Sequence, residues 1–454
     1  IYVVEDHNVS GEPQNLIGAV DLETGELTIL AKGHDFYSSP VISPDGSRMA
    51  FMTWDHPNMP WDESTIWVTE LDEAGMPGEM IPVAGGKQGE QKISVQQPQF
   101  SATGELFYIS DESGYWNLYR EHSGQSVCPR EAEFGGPHWV FGMHHYEFLD
   151  SGKIICCYSE KNLDQLALLN PETGELEDLD LPYTSIGNLS LSGNRLLTVA
   201  SSPTLFPEII EIELSTKTIQ TIKTSTDLEL DQAYLSVPET IEFPTAGNAV
   251  AHGFYYPPTN QDFQGLDGET PPLIVMLHGG PTSATHAVLS FKTQYWTTRG
   301  FGVLDLNYRG STGYGRAYQD ELIRQWGIID VDDAVAGAEY LVRQQKADPQ
   351  RLAIRGGSAG GYTTLAALTF ADTFKAGASL YGISDLEILA QETHKFESRY
   401  LDQLIGDYPE EKEVYQARSP INHLDQLSSP CIFFHGLEDQ VVPPNQAEMM
   451  VEAL

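Results

Sequence analysis

A β-propeller followed by a doubly wound, mostly parallel α/β sheet is the fold class that this sequence predicts, and three observations predict it. Residues 1–235 repeat a unit of strand, glycine turn and strand. Residues 236–454 alternate short apolar strands with helix-like segments. One of those strands runs through a glycine turn bearing a single serine and into a helix, "RLAIRGGSAGGYTTLAAL" (Arg351–Leu368). A chain of 454 residues exceeds what one hydrophobic core usually serves, so two domains fit its length.

The repeat comes first in the chain. It reads "PVISPDGSRMAFMTW" (Pro40–Trp54), "PQFSATGELFYIS" (Pro98–Ser110), "YEFLDSGKIICCYS" (Tyr146–Ser159) and "LSLSGNRLLTVA" (Leu189–Ala200). The turn glycines are Gly46, Gly104, Gly152 and Gly193. A second echo, "DLETGELTIL" (Asp21–Leu30) and "NPETGELEDL" (Asn170–Leu179), reads as an outer hairpin of the same unit. A repeat of roughly 40 to 60 residues with about four strands per unit is the signature of propeller blades. The region accounts for about four to five blades, an incomplete propeller whose closing blades are expected upstream of Ile1. A β-sandwich with coincidental turns is the rival reading.

After Ser236 the pattern changes. "PLIVMLHGG", "FGVLDLNYRG", "RLAIRGGS", "FKAGASLYG" and "PCIFFHGLED" are short buried strands. "DVDDAVAGAEYLVRQQ" (Asp330–Gln345) has an acidic start and apolar residues three and four apart, and "GYTTLAALTF" follows the serine turn. Strands alternating with helices imply a parallel sheet with its site at the carboxyl ends of the strands.

Charge excludes some partners. The 25 Lys and Arg face 65 Asp and Glu, a formal net of −40, which repels nucleic acid and anionic membranes. Solubility explains such a surface without a specific partner. No apolar run is long enough to span a bilayer. Cys128, Cys156, Cys157 and Cys431 have no zinc-type or disulfide-framework spacing, so no metal or cofactor is implied. The N-terminus carries no targeting leader and no Met; a cytoplasmic location is the expectation, with the true start outside the sequence, and a homo-oligomer is compatible with it.

The chemistry centres on Ser358 in Gly356-Gly357-Ser358-Ala359-Gly360-Gly361, a G-x-S-x-G turn between strand and helix. Such a turn strains the serine backbone, brings strand and helix too close for Cβ atoms, and aims the Ala359 N–H at the reaction centre. A phosphate-binding glycine loop would need a Lys that this loop lacks. His278-Gly279-Gly280-Pro281 follows "LIVML", where such hydrolases draw an oxyanion-hole N–H; Gly279 and Gly280 can present one, while His278 reads as a loop-holding residue. In "NYRGSTGYG" the Tyr314 hydroxyl can serve the oxyanion or simply pack. Asp439 in "HGLEDQVVPP" lies about 80 residues after the serine, where the triad acid belongs. Glu438 beside it reads as a surface residue, and the rival acid Asp385 as the cap of the helix starting at Leu386.

Taken together, "HGGP", "NYRGSTGYG", "GGSAGGY" and "HGLEDQVVPP" in this order resemble the prolyl oligopeptidase family (S9) of serine peptidases, most of all its acylaminoacyl-peptidase and dipeptidyl-aminopeptidase-like branch. "GHDFYSSPVISPDG" and "SDESGYWNLYR" extend the resemblance over the first half. The resemblance implies an incomplete β-propeller (1–235) capping an α/β-hydrolase domain (236–454), with the site between them and entry limited to short peptides. It implies Ser358 as nucleophile, Asp439 as acid, and an oxyanion hole from Ala359 with Tyr314 or a glycine of "HGGP". In "HKFESRYLDQLIG", Glu397 and Arg399 become candidate contacts for a peptide terminus, against salt bridging within the domain. Val441 stands where some acylaminoacyl peptidases carry an arginine, which weakens N-acyl specificity, and the paired glutamates of dipeptidyl peptidase IV have no clear counterpart.

All thirteen histidines precede Asp439, whereas chain order in this fold is Ser, Asp, His. The catalytic histidine and last helix are therefore expected beyond Leu454, and the 454-residue chain alone is expected to be nearly inert. The function expected is hydrolysis of short peptides through an acyl-enzyme on Ser358. The rival readings are a carboxylesterase and a non-catalytic propeller binding protein.

Overall fold

The computed structural model describes residues 1–454, which divide by contact into two compact units. The first holds Ile1–Ala200, Glu208–Lys223 and Gly313–Arg316; the second holds Ser201–Pro207, Thr224–Thr312 and Ala317–Leu454.

The first unit is built from consecutive antiparallel meanders, the blades of a β-propeller. Their sheets run over residues 2–31, 36–93, 95–120 and 146–179, and a fifth meander, of four strands, spans 185–224. Gly46, Gly104, Gly152 and Gly193 each sit at a tight turn between two strands of one blade, with φ between 60° and 83°. Only glycine adopts that region without a steric cost, which is why the turns spell themselves out in the sequence. Alternation then fills the space between sheets: Ile66, Val95, Leu106 and Tyr108 pack in one cluster, and Ile17, Tyr37, Met49 and Phe51 in another.

The second unit carries a seven-stranded sheet. In spatial order its strands are Glu239–Pro244, Val250–Tyr256, Gly302–Asn307, Leu273–Leu277, Leu352–Gly357, Ala376–Leu380 and Cys431–Phe434. The first two pair antiparallel, and the last five are parallel. Leu277 is in register with both Leu306 and Gly356, and Leu380 with both Gly357 and Phe434. The loops at 278–281, 308–312, 358 and 435–442 therefore all leave the sheet at one edge, the carboxyl ends of the parallel strands.

The helix Ile329–Arg343 buries Ile329, Ala334, Ala338 and Leu341 at helical spacing. Gly337 lets it approach the sheet, since a Cβ there would meet Leu304 at 2.8 Å and Phe243 at 2.9 Å. The helix Ala359–Phe370 is buried on every side except at Phe370, as a central element must be. Both helices begin within two residues of the positions expected from sequence.

The acidic start of Ile329–Arg343 has a different use from the one its pattern suggests. Asp330 and Asp333 are fully buried rather than facing water at a helix end. Asp333 forms a buried ion pair with Arg309 and also accepts from Thr245 Oγ1 at 2.6 Å. The Arg309 Nη2 and backbone N lie 2.8 and 2.7 Å from its two oxygens. Asp330 accepts from Gly327 N (2.7 Å) and Thr363 Oγ1 (2.6 Å). Cys128, Cys156 and Cys157 are buried free thiols, and Cys431 is a partly buried one. No helix is long and apolar enough to cross a membrane, and no group of three or more His, Cys, Asp or Glu is arranged to hold a metal ion.

Candidate active site

Ser358 ends the strand Leu352–Gly357 and begins the helix Ala359–Phe370 with φ 54° and ψ −123°. A non-glycine residue holds that conformation only where its surroundings over-determine it. Here they do. Ser358 N donates to Leu380 O (3.0 Å), and Ser358 O accepts from Tyr362 N (3.1 Å). A Cβ on Gly356 would lie 2.3 Å from the Gly360 backbone, and one on Gly360 would lie 2.5 Å from Leu277 O. One on Gly361 would lie 2.6 Å from Gly382 Cα. Strand, turn and helix thus touch main chain to main chain, and the serine is pushed out at the top of the sheet. The Ala359 N–H lies at the free N-terminus of the helix.

The "HGGP" loop abuts this turn. A Cβ on Gly279 would sit 3.4 Å from Ser358 Cβ. Gly280 has φ 119°, and Thr282 N leaves no room for a Cβ there. His278 is occupied on both ring nitrogens: Nδ1 lies 2.8 Å from Gly279 O and Nε2 2.7 Å from Ser311 Oγ. It stacks on Tyr308 at 4.4 Å, and burial pushes its pKa down to about 4. It holds the loop and is no base. On the far side, Tyr400 OH donates to Thr282 Oγ1 (2.6 Å) and accepts from Thr282 N (3.0 Å), tying "HGGP" to "HKFESRYLDQLIG".

Asp439 lies in the loop after Cys431–Phe434. Its Oδ1 accepts from Val441 N and Val442 N, both at 3.0 Å. Its Oδ2 has only His435 Nε2 near it, at 3.8 Å, and that nitrogen is 2.8 Å from Val442 O. One oxygen thus fixes the carboxylate and the other stays open to a further N–H donor. Glu438 is exposed. Asp385 caps the helix Leu386–Glu392, accepting from Glu387 N and Ile388 N.

Glu397 and Arg399 part ways. Arg399 is half-exposed and pairs with Asp402, the in-domain salt bridge. Glu397 lines a narrow cavity of about 30 Å³ together with Ser358, Ala359 and Gly280. His394 Nε2 lies 3.8 Å from its carboxylate, and burial raises its carboxyl pKa. Tyr314 lies on the segment Gly313–Arg316 of the first unit. Its neighbours there are held by Glu133, which accepts from Gly315 N (2.9 Å), and by Asp111, which pairs with Arg316 (2.6 Å).

Sequence reasoning missed Trp326 and Thr393, which line the same cavity. The only signal was a lone tryptophan in "RQWGIID", with nothing along the chain to aim it. It also missed the buried Arg309–Asp333 pair that anchors the start of "NYRGSTGYG".

Residues 287–454 match the prolyl oligopeptidase family. The chain is 31% identical over 189 residues to dipeptidyl aminopeptidase BIII of Pseudoxanthomonas mexicana, covering 40% of this chain and 27% of that protein. It is 26% identical over 363 residues to the acylamino-acid-releasing enzyme of Arabidopsis thaliana, covering 72% and 46%. The chain thus spans less than half the length of either curated relative. Among solved structures, a Mycobacterium tuberculosis puromycin-hydrolyzing peptidase superposes with a TM-score of 0.94 at 38% identity, over 100% of this chain and 70% of that one. A puromycin hydrolase gives 0.91 at 37% identity, over 97% and 68%.

Proposed function

The chain belongs to the prolyl oligopeptidase family, and from that premise we propose that it is the core of a serine peptidase that cleaves short peptides or aminoacyl amides from the N-terminal end through an acyl-enzyme on Ser358. The observation that carries the reading is the Ser358 backbone, strained at φ 54° between glycines that admit no side chain, with a helix N-terminus directly behind it. Strain of that kind is retained where it aims a side chain.

Ser358 Oγ attacks the scissile carbonyl and gives its proton to an imidazole oriented by Asp439, whose open Oδ2 is the acceptor for that ring. The tetrahedral oxyanion takes hydrogen bonds from Ala359 N–H and from a second donor, a glycine N–H of Gly279-Gly280 or the Tyr314 hydroxyl. The imidazolium protonates the departing amine, which leaves an acyl-enzyme; water, deprotonated by the same imidazole, then releases the acid as the proton returns to Ser358 Oγ. Glu397 beside Ser358 has no Lys or Arg partner and suits the α-ammonium of a substrate with a free N-terminus. Arg399 is engaged by Asp402 and does not line the cavity. The names of the similar structures make puromycin, an aminoacyl amide with a free amine, the first compound to try.

A fluorophosphonate probe on the full-length protein tests the reading. Labelling that disappears in Ser358→Ala, with Ser358-dependent release of the amine from puromycin or aminoacyl amides, is the expected result. Faster turnover of simple esters than of any amide points to a carboxylesterase, and absence of both labelling and turnover to a binding protein.

A further inference from the structure

Tyr314 stands in a segment that is pinned on both sides. The segment Gly313–Arg316 packs with the first unit, while Thr312 before it and Ala317 after it belong to the second. Gly313 and Gly315 flank the tyrosine with φ 93° and 86°. A Cβ on Gly313 would lie 2.2 Å from Asn162 Oδ1, and one on Gly315 would lie 2.9 Å from Tyr115 Cζ. Only glycine fits either place, because the angles are left-handed and the space is taken. Arg316 N donates to Gly114 O at 2.8 Å. The Arg316 guanidinium reaches Asp111 Oδ2 at 2.6 Å, Trp61 O at 3.2 Å and Asp62 O at 3.0 Å.

Glu133 completes the hold. Its Oε1 accepts from Gly315 N at 2.9 Å and its Oε2 from Trp116 N at 2.8 Å. The backbone that carries this side chain is itself fixed: Glu133 N donates to Ser159 O and Glu133 O accepts from Ser159 N, both at 2.9 Å. Glu133 is 6% exposed and Asp111 3%. Burying two carboxyl groups is costly, and both act on the two residues that directly follow Tyr314.

We propose that Glu133 is a positioning residue for the peptidase reaction: it fixes the segment Gly313–Arg316 so that the Tyr314 hydroxyl serves as the second oxyanion donor, and Asp111 acts in the same way through Arg316. The proposal rests on the peptidase reading and chooses between the two donors which that reading leaves open. An oxyanion donor is effective only at the place the charged oxygen will occupy. A misplacement of about 1 Å at such a contact can cost about a hundredfold in rate. A tyrosine on an unanchored loop would lose much of its effect to that drift. The propeller then contributes to the rate of the chemical step.

The test is a double-mutant cycle on the full-length protein, with kcat and KM measured on puromycin or an aminoacyl amide. Tyr314→Phe should lower kcat about a hundredfold with KM little changed. Glu133→Gln keeps the shape of the side chain, but its amide offers one oxygen to two N–H groups. It should lower kcat about tenfold at nearly unchanged KM, because a transition-state contact is loosened and no substrate contact is removed. Added to Tyr314→Phe, it should alter kcat by less than about twofold, since the hydroxyl it positions is gone. Asp111→Asn should repeat the pattern more weakly, and it stands in if melting shows that Glu133→Gln does not fold. Three results overturn the proposal and leave the peptidase reading with a donor from Gly279-Gly280: a rise in KM alone, losses from Glu133→Gln and Tyr314→Phe that simply multiply, or a Tyr314→Phe protein with undiminished kcat. Absence of any Ser358-dependent turnover in the unmodified protein sinks that reading, and the proposal with it.

Discussion

The serine turn and the acid loop leave parallel strands, with one strand between them, at the same sheet edge, yet they are built in opposite ways. Around Ser358 the contacts are main chain against main chain, with Gly356, Gly360 and Gly361 each holding a place that a methyl group would break. Behind it stand buried charge pairs and hydrogen bonds through Asp330, Asp333 and His278. Asp439 is held by two N–H groups of its own loop. The nucleophile's position is set by the whole domain, whereas the acid's is set by four residues of local chain. A serine that must stay strained needs the first kind of support; a carboxylate that only orients a ring is served by the second.

The difference can be attacked from its strong side first. Asp333→Ala takes the closest carboxylate from the buried Arg309 guanidinium, leaving it Glu321 at 3.4 Å, and should cost about 3 kcal/mol of stability, read from denaturant unfolding; a loss under 1 kcal/mol would mean the pair does not anchor this side. Gly360→Ala forces a Cβ within 2.5 Å of Leu277 O and should cost about 2–3 kcal/mol, with loss of phosphonate labelling at Ser358. On the acid side the balance reverses. Asp439→Ala removes only a local cap, worth about 1 kcal/mol, while activity of the full-length protein should fall roughly a thousandfold or more. A large drop in melting temperature for that variant would erase the contrast.

The smallest effect is a slope. Burial pushes the Asp330 carboxyl up to about 6, against 3.8 for the free group. Between those values the native state keeps a proton that the unfolded chain has released. The stability from this group is complete below the unfolded value and is lost as pH rises through the native one. Asp305, also raised to about 6, and Glu133, raised to about 7, act with the same sign. Asp330→Asn should therefore flatten the fall of stability between about pH 4 and pH 6 by up to one proton, measured as melting temperature against pH.

Much of this was legible along the chain because its cause is local. Gly46, Gly104, Gly152 and Gly193 announce blades since a tight turn with positive φ needs glycine wherever it occurs. The serine turn announces itself for the same reason, and Asp385 could be set aside as a cap from its position alone. What escaped depends on partners distant in sequence. "DVDD" looks like acid complementing a helix dipole, and nothing in it says that Asp333 will meet Arg309 or that Asp330 will meet Thr363. Trp326 and Glu397 converge on the Ser358 cavity from segments with no shared pattern. Glu397 and Arg399 lie two residues apart, yet one faces the cavity and the other a carboxylate outside it.

The four blade turns carry one more implication. At Gly46, Gly104, Gly152 and Gly193 an added Cβ would meet no atom beyond the adjoining residues within 4 Å, and the backbone is the mirror image of what L-residues prefer. Each is therefore a vacancy for the opposite hand. D-alanine placed there by chemical ligation suits the native angles, and it stiffens the unfolded chain. The repeat thus offers four equivalent positions at which chirality can be used to tune a blade.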